Sequence, residues 1–374
     1  MHAVHADTSD LTLTDIGPDG IHPTDAGYRK IAGAFLDAYK VALSNDWIQP
    51  PNPQASDVAA HPCGHTEGGL GGTNAASQVK DRRWEDHGVS FEAGFGKGNS
   101  YRWGDVNEDG KPELFVVKPD QSWTFYWNSG RTAVGWTGWA KGVSRPARQP
   151  GLVGNALRIA DMDGDGEPDC VTVDLKGHLV IYVWDNTKSA GQKICGRKIT
   201  TNSDVPGTGT IDPRTQIVLA DVDGFGAADY LLVEPRGTTR LWLNSGLTNL
   251  KGGKGIKWQE VGQITGPLPS ERIRRWADIN GDGVADQILL TAHGGARAWL
   301  NKGLTFESAP AGVHAQPNGL KLVDIGEIAI DKNVPPRDVQ FVDVGGDGRA
   351  DFVRTGWTGV THIWLNRLSP ADLQ

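Results

Sequence analysis

Eighteen of the 45 acidic residues of this 374-residue chain fall inside five nine-residue windows. They read DVNEDGKPE from Asp105, DMDGDGEPD from Asp161, DVDGFGAAD from Asp221, DINGDGVAD from Asp278 and DVGGDGRAD from Asp343. The first, second and fourth follow Asp-x-Asp/Asn-x-Asp-Gly-x-x-Asp/Glu, through Asp105, Asn107, Asp109 and Glu113, then Asp161, Asp163, Asp165 and Asp169, then Asp278, Asn280, Asp282 and Asp286. Side-chain oxygens at positions 1, 3, 5 and 9 of such a turn converge on one point, and the glycine at position 6 permits the sharp bend. A hard cation taking roughly six to eight oxygen ligands suits that donor set. Calcium fits, whereas zinc prefers nitrogen and sulfur. An Asx-turn would also use an aspartate, but it needs one and not four in register. The third window (Asp221, Asp223, Asp229) carries Phe225 at position 5, and the fifth (Asp343, Asp347, Asp351) carries Gly345 at position 3. Each loses a ligand, so the expectation is three Ca2+ sites and two degenerate ones.

A second constellation lies near the start, Asp19-Gly20-Ile21-His22-Pro23-Thr24-Asp25-Ala26-Gly27-Tyr28. It leads into apolar residues at Tyr28, Ile31, Ala32, Phe35 and Tyr39, the 3.6 period of an amphipathic helix. Thr24 stands where an N-cap would. From Trp47 to about Gly72 the chain is rich in proline and then glycine and reads as a linker.

Elements able to hold the acidic windows recur with them. The windows are spaced 56, 60, 57 and 65 residues apart. An apolar stretch precedes each, a β-rich run follows, and a third run ends in an aromatic and an asparagine, as at Trp242-Leu243-Asn244, Trp299-Leu300-Asn301 and Trp364-Leu365-Asn366. A weaker run with a tryptophan lies near Trp84, Trp139 and Trp258. Short runs separated by Gly-rich turns are strands, and four per repeat make the blades of a β-propeller. Five visible repeats predict five blades, with the strand near residues 83–91 completing the blade that ends at Asn366. The apolar residue at position 2 of each window (Val106, Met162, Val222, Ile279, Val344) should anchor the turn in the core.

The 14 tryptophans and 50 glycines fit such a fold. Those at the repeated positions, Trp103, Trp242, Trp276, Trp299 and Trp364, read as packing. Trp123 and Trp357, in hairpins between second and third strands, and Trp136, in an interblade connection, are candidates for stacking on sugar rings. Arg272, Arg274 and Arg275 read as a solvated basic face. Net charge is −8, and outside the windows 35 basic residues face 27 acidic ones, so the chain is acidic because of five loops. Bulk electrostatics argue against nucleic acid. The longest apolar run, Leu179 to Trp184, is too short to span a bilayer, and the first residues lack the basic and apolar regions of a secretory signal. Three scattered cysteines, Cys63, Cys170 and Cys195, support neither a disulfide framework nor a thiolate metal site, while leaving room for one bridge.

The windows, flanking strands and repeat length resemble FG-GAP (VCBS-like) repeats, also seen in integrin α-subunits, over roughly residues 84–366. Only Phe95-Gly96 matches the Phe-Gly part of that name. The resemblance implies an extracellular or cell-surface recognition scaffold, often for glycans or proteins and sometimes an accessory module on an enzyme. The Asp19–Tyr28 string resembles the last block of SGNH (GDSL-type) hydrolases, whose aspartate and histidine belong to a Ser-His-Asp triad. That likeness implies His22 as general base and Asp19 as its orienting carboxylate. The family's nucleophile sits in a Gly-Asp-Ser block, and upstream of Asp19 there is only Ser9, in no such context. The expected organisation is therefore an SGNH remnant over residues 1–46, a linker over 47–82, a mainly β propeller over 83–367 and a tail over 368–374. The expected function is a calcium-binding recognition module for a glycan or other extracellular ligand, monomeric, with its esterase remnant inactive as written. The rival is a truncated copy of a secreted carbohydrate esterase with a propeller accessory domain.

Overall fold

The computed structural model describes residues 8, 11–16, 24, 30–31, 34–35, 38, 81–91, 95, 98–120, 122–130, 139–145, 157–174, 177–183, 195, 197–198, 216–250, 253–268, 272–307 and 316–373. The chain divides into two compact units, Met1–Ala76 and Ser77–Gln374. In the first, a 3-10 turn spans Leu13–Asp15, and Lys30, Ile31, Ala34, Phe35 and Ala38 are helical. The buried Asp15 carboxylate accepts hydrogen bonds from Lys30 Nζ at 2.7 Å and from Thr12 N at 2.8 Å. The Lys30 bond, then those from Thr12, hold its pKa down at about 2. Asp19 and His22 lie outside the described residues.

The second unit is a five-bladed β-propeller of four-stranded antiparallel blades. Strand β1 (Trp84–Phe91) opens it. Blade A follows as β2 (Ser100–Gly104), β3 (Glu113–Val117), β4 (Trp123–Asn128) and β5 (Trp139–Arg145). Blade B is β6 (Leu157–Ala160), β7 (Asp169–Val173), β8 (Leu179–Val183) and the two-residue β9 (Arg197–Lys198). Blade C is β10 (Gln216–Ala220), β11 (Asp229–Val233), β12 (Thr239–Leu250) and β13 (Gly253–Thr265). Blade D is β14 (Ile273–Ala277), β15 (Asp286–Leu290), β16 (Ala296–Phe306) and β17 (Pro317–Ala329). Blade E is β18 (Val339–Val342), β19 (Asp351–Thr355) and β20 (Thr361–Asn366), and β1 pairs with β20, Trp84 opposite Asn366, to supply its outer strand. The ring is thus closed by the two ends of the propeller sequence, as the repeat order predicts.

First strands face the axis: β2 contacts β6, β6 contacts β10, β10 contacts β14 and β14 contacts β18. Gln340 on β18 closes the circle, accepting from Trp103 Nε1 at 3.1 Å and donating to the Tyr101 carbonyl at 3.3 Å. Second strands are buried on both faces, which explains runs such as ELFVV and DQILL where alternation would mark a half-exposed strand. Their alternate residues feed different seams. Leu114 and Val116 pack with Val353 and Ile363 between blades E and A, whereas Phe115 and Val117 pack with Leu157 and Tyr182 between A and B. The core is therefore a set of interblade layers, one per seam. The position-2 residues all lie in these layers, and Trp103, Trp242, Trp276 and Trp364 are buried while Trp299 is half-buried.

Cys170 on β7 and Cys195 form a disulfide within the A–B layer. It ties the segment leading into the short β9 to the second strand of its blade. After β20 the chain does not simply end in a tail: Leu368 is buried in the D–E layer, and Asp372 caps Ser369 N at 2.8 Å.

Candidate metal centres

Each acidic window is the turn between the first and second strands of a blade. The position-1 aspartate organises it through backbone amides. Its Oδ2 accepts from the position-6 glycine at 2.7 or 2.8 Å in all five turns, at Gly110, Gly166, Gly226, Gly283 and Gly348. Residues at positions 4 and 6 adopt positive φ in every turn. Four position-4 residues are glycine, while Glu108 takes φ 59° with a side chain.

The position-9 carboxylates, Glu113, Asp169, Asp229, Asp286 and Asp351, are at most 1% exposed. Asp229 accepts from Val222 N at 2.9 Å and from Asn244 N at 2.7 Å, and Asp286 likewise from Ile279 N and Asn301 N. Asn366 ends β20, whereas β12 and β16 run on past Asn244 and Asn301, the asparagines at the same place in the repeat. Each donates Nδ2 across the seam to a position-2 carbonyl of the preceding blade: Asn244 to Met162 at 2.9 Å, Asn301 to Val222 at 2.8 Å and Asn366 to Ile279 at 2.9 Å. Asn128 does the same to Val344 at 3.2 Å, joining blade A to blade E. The position-8 amides of Ala228, Ala285 and Ala350 each donate 2.7 Å bonds to the position-1 carbonyl of the preceding blade. The acidic turns are therefore also the clasps between blades.

Three carboxylates converge in two of the turns: Asp161, Asp163 and Asp169 in blade B, and Asp221, Asp223 and Asp229 in blade C, with donor oxygens within 4.8 Å of one another. Asp165 lies in the same blade B turn, where its charge bears on Asp163. In blades A and D, position 3 is Asn107 or Asn280, whose amides donate to Asp109 at 3.1 Å and Asp282 at 2.9 Å. Blade C keeps part of the donor set. Phe225 removes an acid at position 5, yet the aromatic side chain is 79% exposed and leaves positions 1, 3 and 9 converging as in blade B. Blade E departs further. With Gly345 at position 3, Asp351 Oδ2 accepts from Gly345 N at 2.9 Å, and Arg349 and Arg367 bring guanidiniums to Asp347 at 2.9 and 3.6 Å.

Burial, then neighbouring negative charge, raises these acids. Asp163 and Asp223 reach about 6, Asp286 and Asp351 about 7, and Asp229 about 8. Glu113 is likewise pushed up to about 7 by burial. An all-oxygen donor set whose negative charge is concentrated and poorly solvated is what a hard divalent cation offsets. The residues present thus fit calcium.

The aromatic candidates separate. Trp123 is 3% exposed on β4, packed on Phe115 and Phe125, so its ring has no open face for a sugar. The sequence placed it in the hairpin between the second and third strands, but Trp123 is the first residue of β4 itself. Trp357 is 50% exposed in the turn between β19 and β20, and Trp136 lies outside the described residues. The basic cluster is also reassigned. Arg274 is buried and donates to the Gly237 carbonyl and to Thr265 Oγ1, and Arg275 Nε donates to the Val339 carbonyl of the next blade at 3.0 Å. Arg102 and Arg158, at the same register, hold the Leu157 and Ile217 carbonyls. That recurrence three residues before the window was a readable signal for an axial clasp.

A family model described as FG-GAP-like repeat matches residues 105–172, from the blade A turn into β7. No curated protein matches the chain. Among solved structures, a lectin of Agrocybe aegerita described in terms of recognition of non-reducing terminal N-acetylglucosamine is 18% identical, with 74% of this chain and 68% of that one covered and a TM-score of 0.39. The Photorhabdus luminescens Tc holotoxin pore is 18% identical over 77% of this chain, at a TM-score of 0.35. This chain spans 14% of that holotoxin chain's length.

Proposed function

We propose that the chain is a calcium-stabilised β-propeller binding module for an extracellular glycan. The observation that carries the calcium reading is the convergence of position 1, 3 and 9 carboxylates in blades B and C, on turns that also clasp neighbouring blades. Asp105, Asn107, Asp109 and Glu113 would hold an ion in blade A, and Asp278, Asn280, Asp282 and Asp286 in blade D. Bound calcium supplies charge neutralisation, and the turns then lock the blade seams. The Cys170–Cys195 bridge supports an oxidising compartment. The exposed Trp357 supports carbohydrate contact, since an aromatic face stacks on the C–H face of a sugar.

Chelation tests the calcium reading. A ligand at about 100 times its Kd adds ~2.7 kcal/mol per site, so EDTA should lower the melting temperature by at least about 5 °C, with recovery on added calcium but not magnesium. Identical melting curves would refute it.

An esterase reading of the first unit is favoured by one observation, the Asp19-Gly20-Ile21-His22-Pro23 string, with His22 as base and Asp19 as its orienter. Hydrolysis of p-nitrophenyl acetate that His22→Ala abolishes would establish it, and equal rates for the two proteins would remove it.

A further inference from the structure

Two asparagines of the chain are followed by glycine, Asn280-Gly281 in the blade D turn and Asn318-Gly319 on β17. The side-chain carbonyl carbon of an asparagine and the backbone nitrogen of the next residue close a small, unstrained ring if they meet, and a glycine, with no Cβ, leaves that nitrogen uncrowded. The blade D turn supplies the remaining geometry. Asp282 N donates back to Asn280 Oδ1 at 3.0 Å, and Asn280 Nδ2 donates to Asp282 Oδ2 at 2.9 Å, so the side chain is curled over the peptide that joins it to Gly281. Gly281 N–H donates to Asp278 Oδ1 at 2.7 Å, which polarises that nitrogen. Gly281 is exposed and Asn280 half-buried, so water reaches both. The fold also holds the glycine in place: it takes φ 81°, and a Cβ there would meet Arg349 Cγ at 3.0 Å. The comparable asparagines each lack one part. Asn107 makes the same turn in blade A, with Asp109 N on its Oδ1 at 3.3 Å, but Glu108 follows it and brings a Cβ beside the nitrogen. Asn318 has the glycine, but Thr305 Oγ1 donates to its Oδ1 at 2.9 Å from β16 and holds the side chain across the sheet.

We infer that Asn280 is a self-modifying residue, which loses its amide to attack by the Gly281 nitrogen and so gives blade D the acids that blade B carries. In the first step a bond forms between Gly281 N and Asn280 Cγ while the Cγ–Nδ2 bond breaks. The Gly281 proton passes through solvent to the departing nitrogen, which leaves as ammonia. The cyclic imide then adds one water. Opening at Cγ restores the ordinary backbone with an aspartate at position 280, and opening at the backbone carbonyl gives the isoaspartyl linkage. The ordinary product has acids at positions 1, 3, 5 and 9, the set that Asp161, Asp163, Asp165 and Asp169 form in blade B. Loss of the amide stands on the turn geometry alone, whereas its consequence for calcium rests on the calcium reading above. A bound ion would engage the Asn280 oxygen and Asp278, so the reaction belongs to the metal-free turn.

The test is peptide mass spectrometry of the full chain incubated in EDTA at mildly alkaline pH, a gain of one mass unit marking each lost amide. Asn280 should convert at least about tenfold faster than Asn107 and Asn318, since each of those lacks one part of the geometry. Gly281→Ala should slow the conversion about tenfold. That variant strains the turn, so incubation of the unaltered chain in calcium is the arm that needs no substitution: at about 100 times its Kd the metal-free fraction is ~1%, and conversion should slow roughly a hundredfold. Asn280→Asp, made directly, should take up the blade D ion about threefold more tightly in titration calorimetry, because ligand charge sets affinity. An Asn280 that converts no faster than Asn318 in EDTA would overturn the modification and leave the calcium reading standing. Conversion that calcium fails to slow would keep the modification and overturn a calcium site in blade D. Equal calcium affinity of Asn280→Asp and the unaltered chain would overturn the stated consequence for blade D.

Discussion

The acidic turns of blades B and E occupy equivalent places between first and second strands, yet they handle negative charge differently. In blade B, Asp161, Asp163 and Asp169 converge, and Asp165 and Glu167 add further acid. In blade E the position-3 acid is absent, Asp351 turns to the Gly345 amide, and Arg349 reaches Asp347 at 2.9 Å. One turn gathers charge that a cation would neutralise, and the other supplies a guanidinium from its own position 7. The backbone frame is common to both: the position-1 carboxylate holds the position-6 glycine at 2.8 Å in one and 2.7 Å in the other. The turn is therefore a fold element first, and on the proposed reading an ion would be admitted or refused by positions 3 and 7.

The largest expected effect comes from removing a position-9 acid. Asp229→Ala strips acceptors from the buried amides of Val222 and Asn244, and should cost about 2–5 kcal/mol in urea unfolding with calcium present. A loss under 1 kcal/mol would show that the turn is not a clasp. Next, opening the Cys170–Cys195 bridge with Cys170→Ser should cost about 3 kcal/mol, for a 25-residue separation in blade B alone. Equal stability of oxidised and reduced protein would contradict it.

The pH dependence sharpens the comparison further. Folded-state values near 7 to 8 for Glu113, Asp229, Asp286 and Asp351 stand above the ordinary carboxylate value of the unfolded chain. A raised acid favours the folded state most below the unfolded pKa, near 4, and that advantage is lost as pH rises through 7 to 8. In EDTA, then, the melting temperature should fall between pH 5 and pH 8.5, and calcium should flatten the decline. A metal-free melting temperature that rises over that range would reverse the sign. The smallest effect is Glu108→Gly, which relieves a side chain at φ 59° and should stabilise by roughly 0.5–1 kcal/mol. Destabilisation would mean that the Glu108 side chain contributes more than its strain costs.

Five windows, the strand runs around them and the join of residues 84–91 to the last repeat were readable because they depend on local spacing. Burial of Val106, Met162, Val222, Ile279 and Val344 followed from the same spacing. What escaped depends on neighbouring blades. Asn244, Asn301 and Asn366 were visible as a repeated residue, but the position-2 carbonyls they hold lie 79 to 87 residues earlier. Trp123 was placed in the hairpin before the third strand, whereas it is the first residue of β4 and is buried against Phe115 and Phe125. Phe225 removes the position-5 ligand of blade C as read, and what spacing alone did not show is that Asp221, Asp223 and Asp229 still come together there.

The central claim is that these turns hold calcium where position 3 carries a side-chain oxygen, in blades A to D, and not where Gly345 takes that place in blade E. Native mass spectrometry after dialysis against calcium measures it directly. The account predicts four ions per chain, one each in blades A to D, falling to three in Asp161→Asn. A chain that takes up no calcium contradicts the claim, and one that takes up five contradicts the distinction between blade E and the rest.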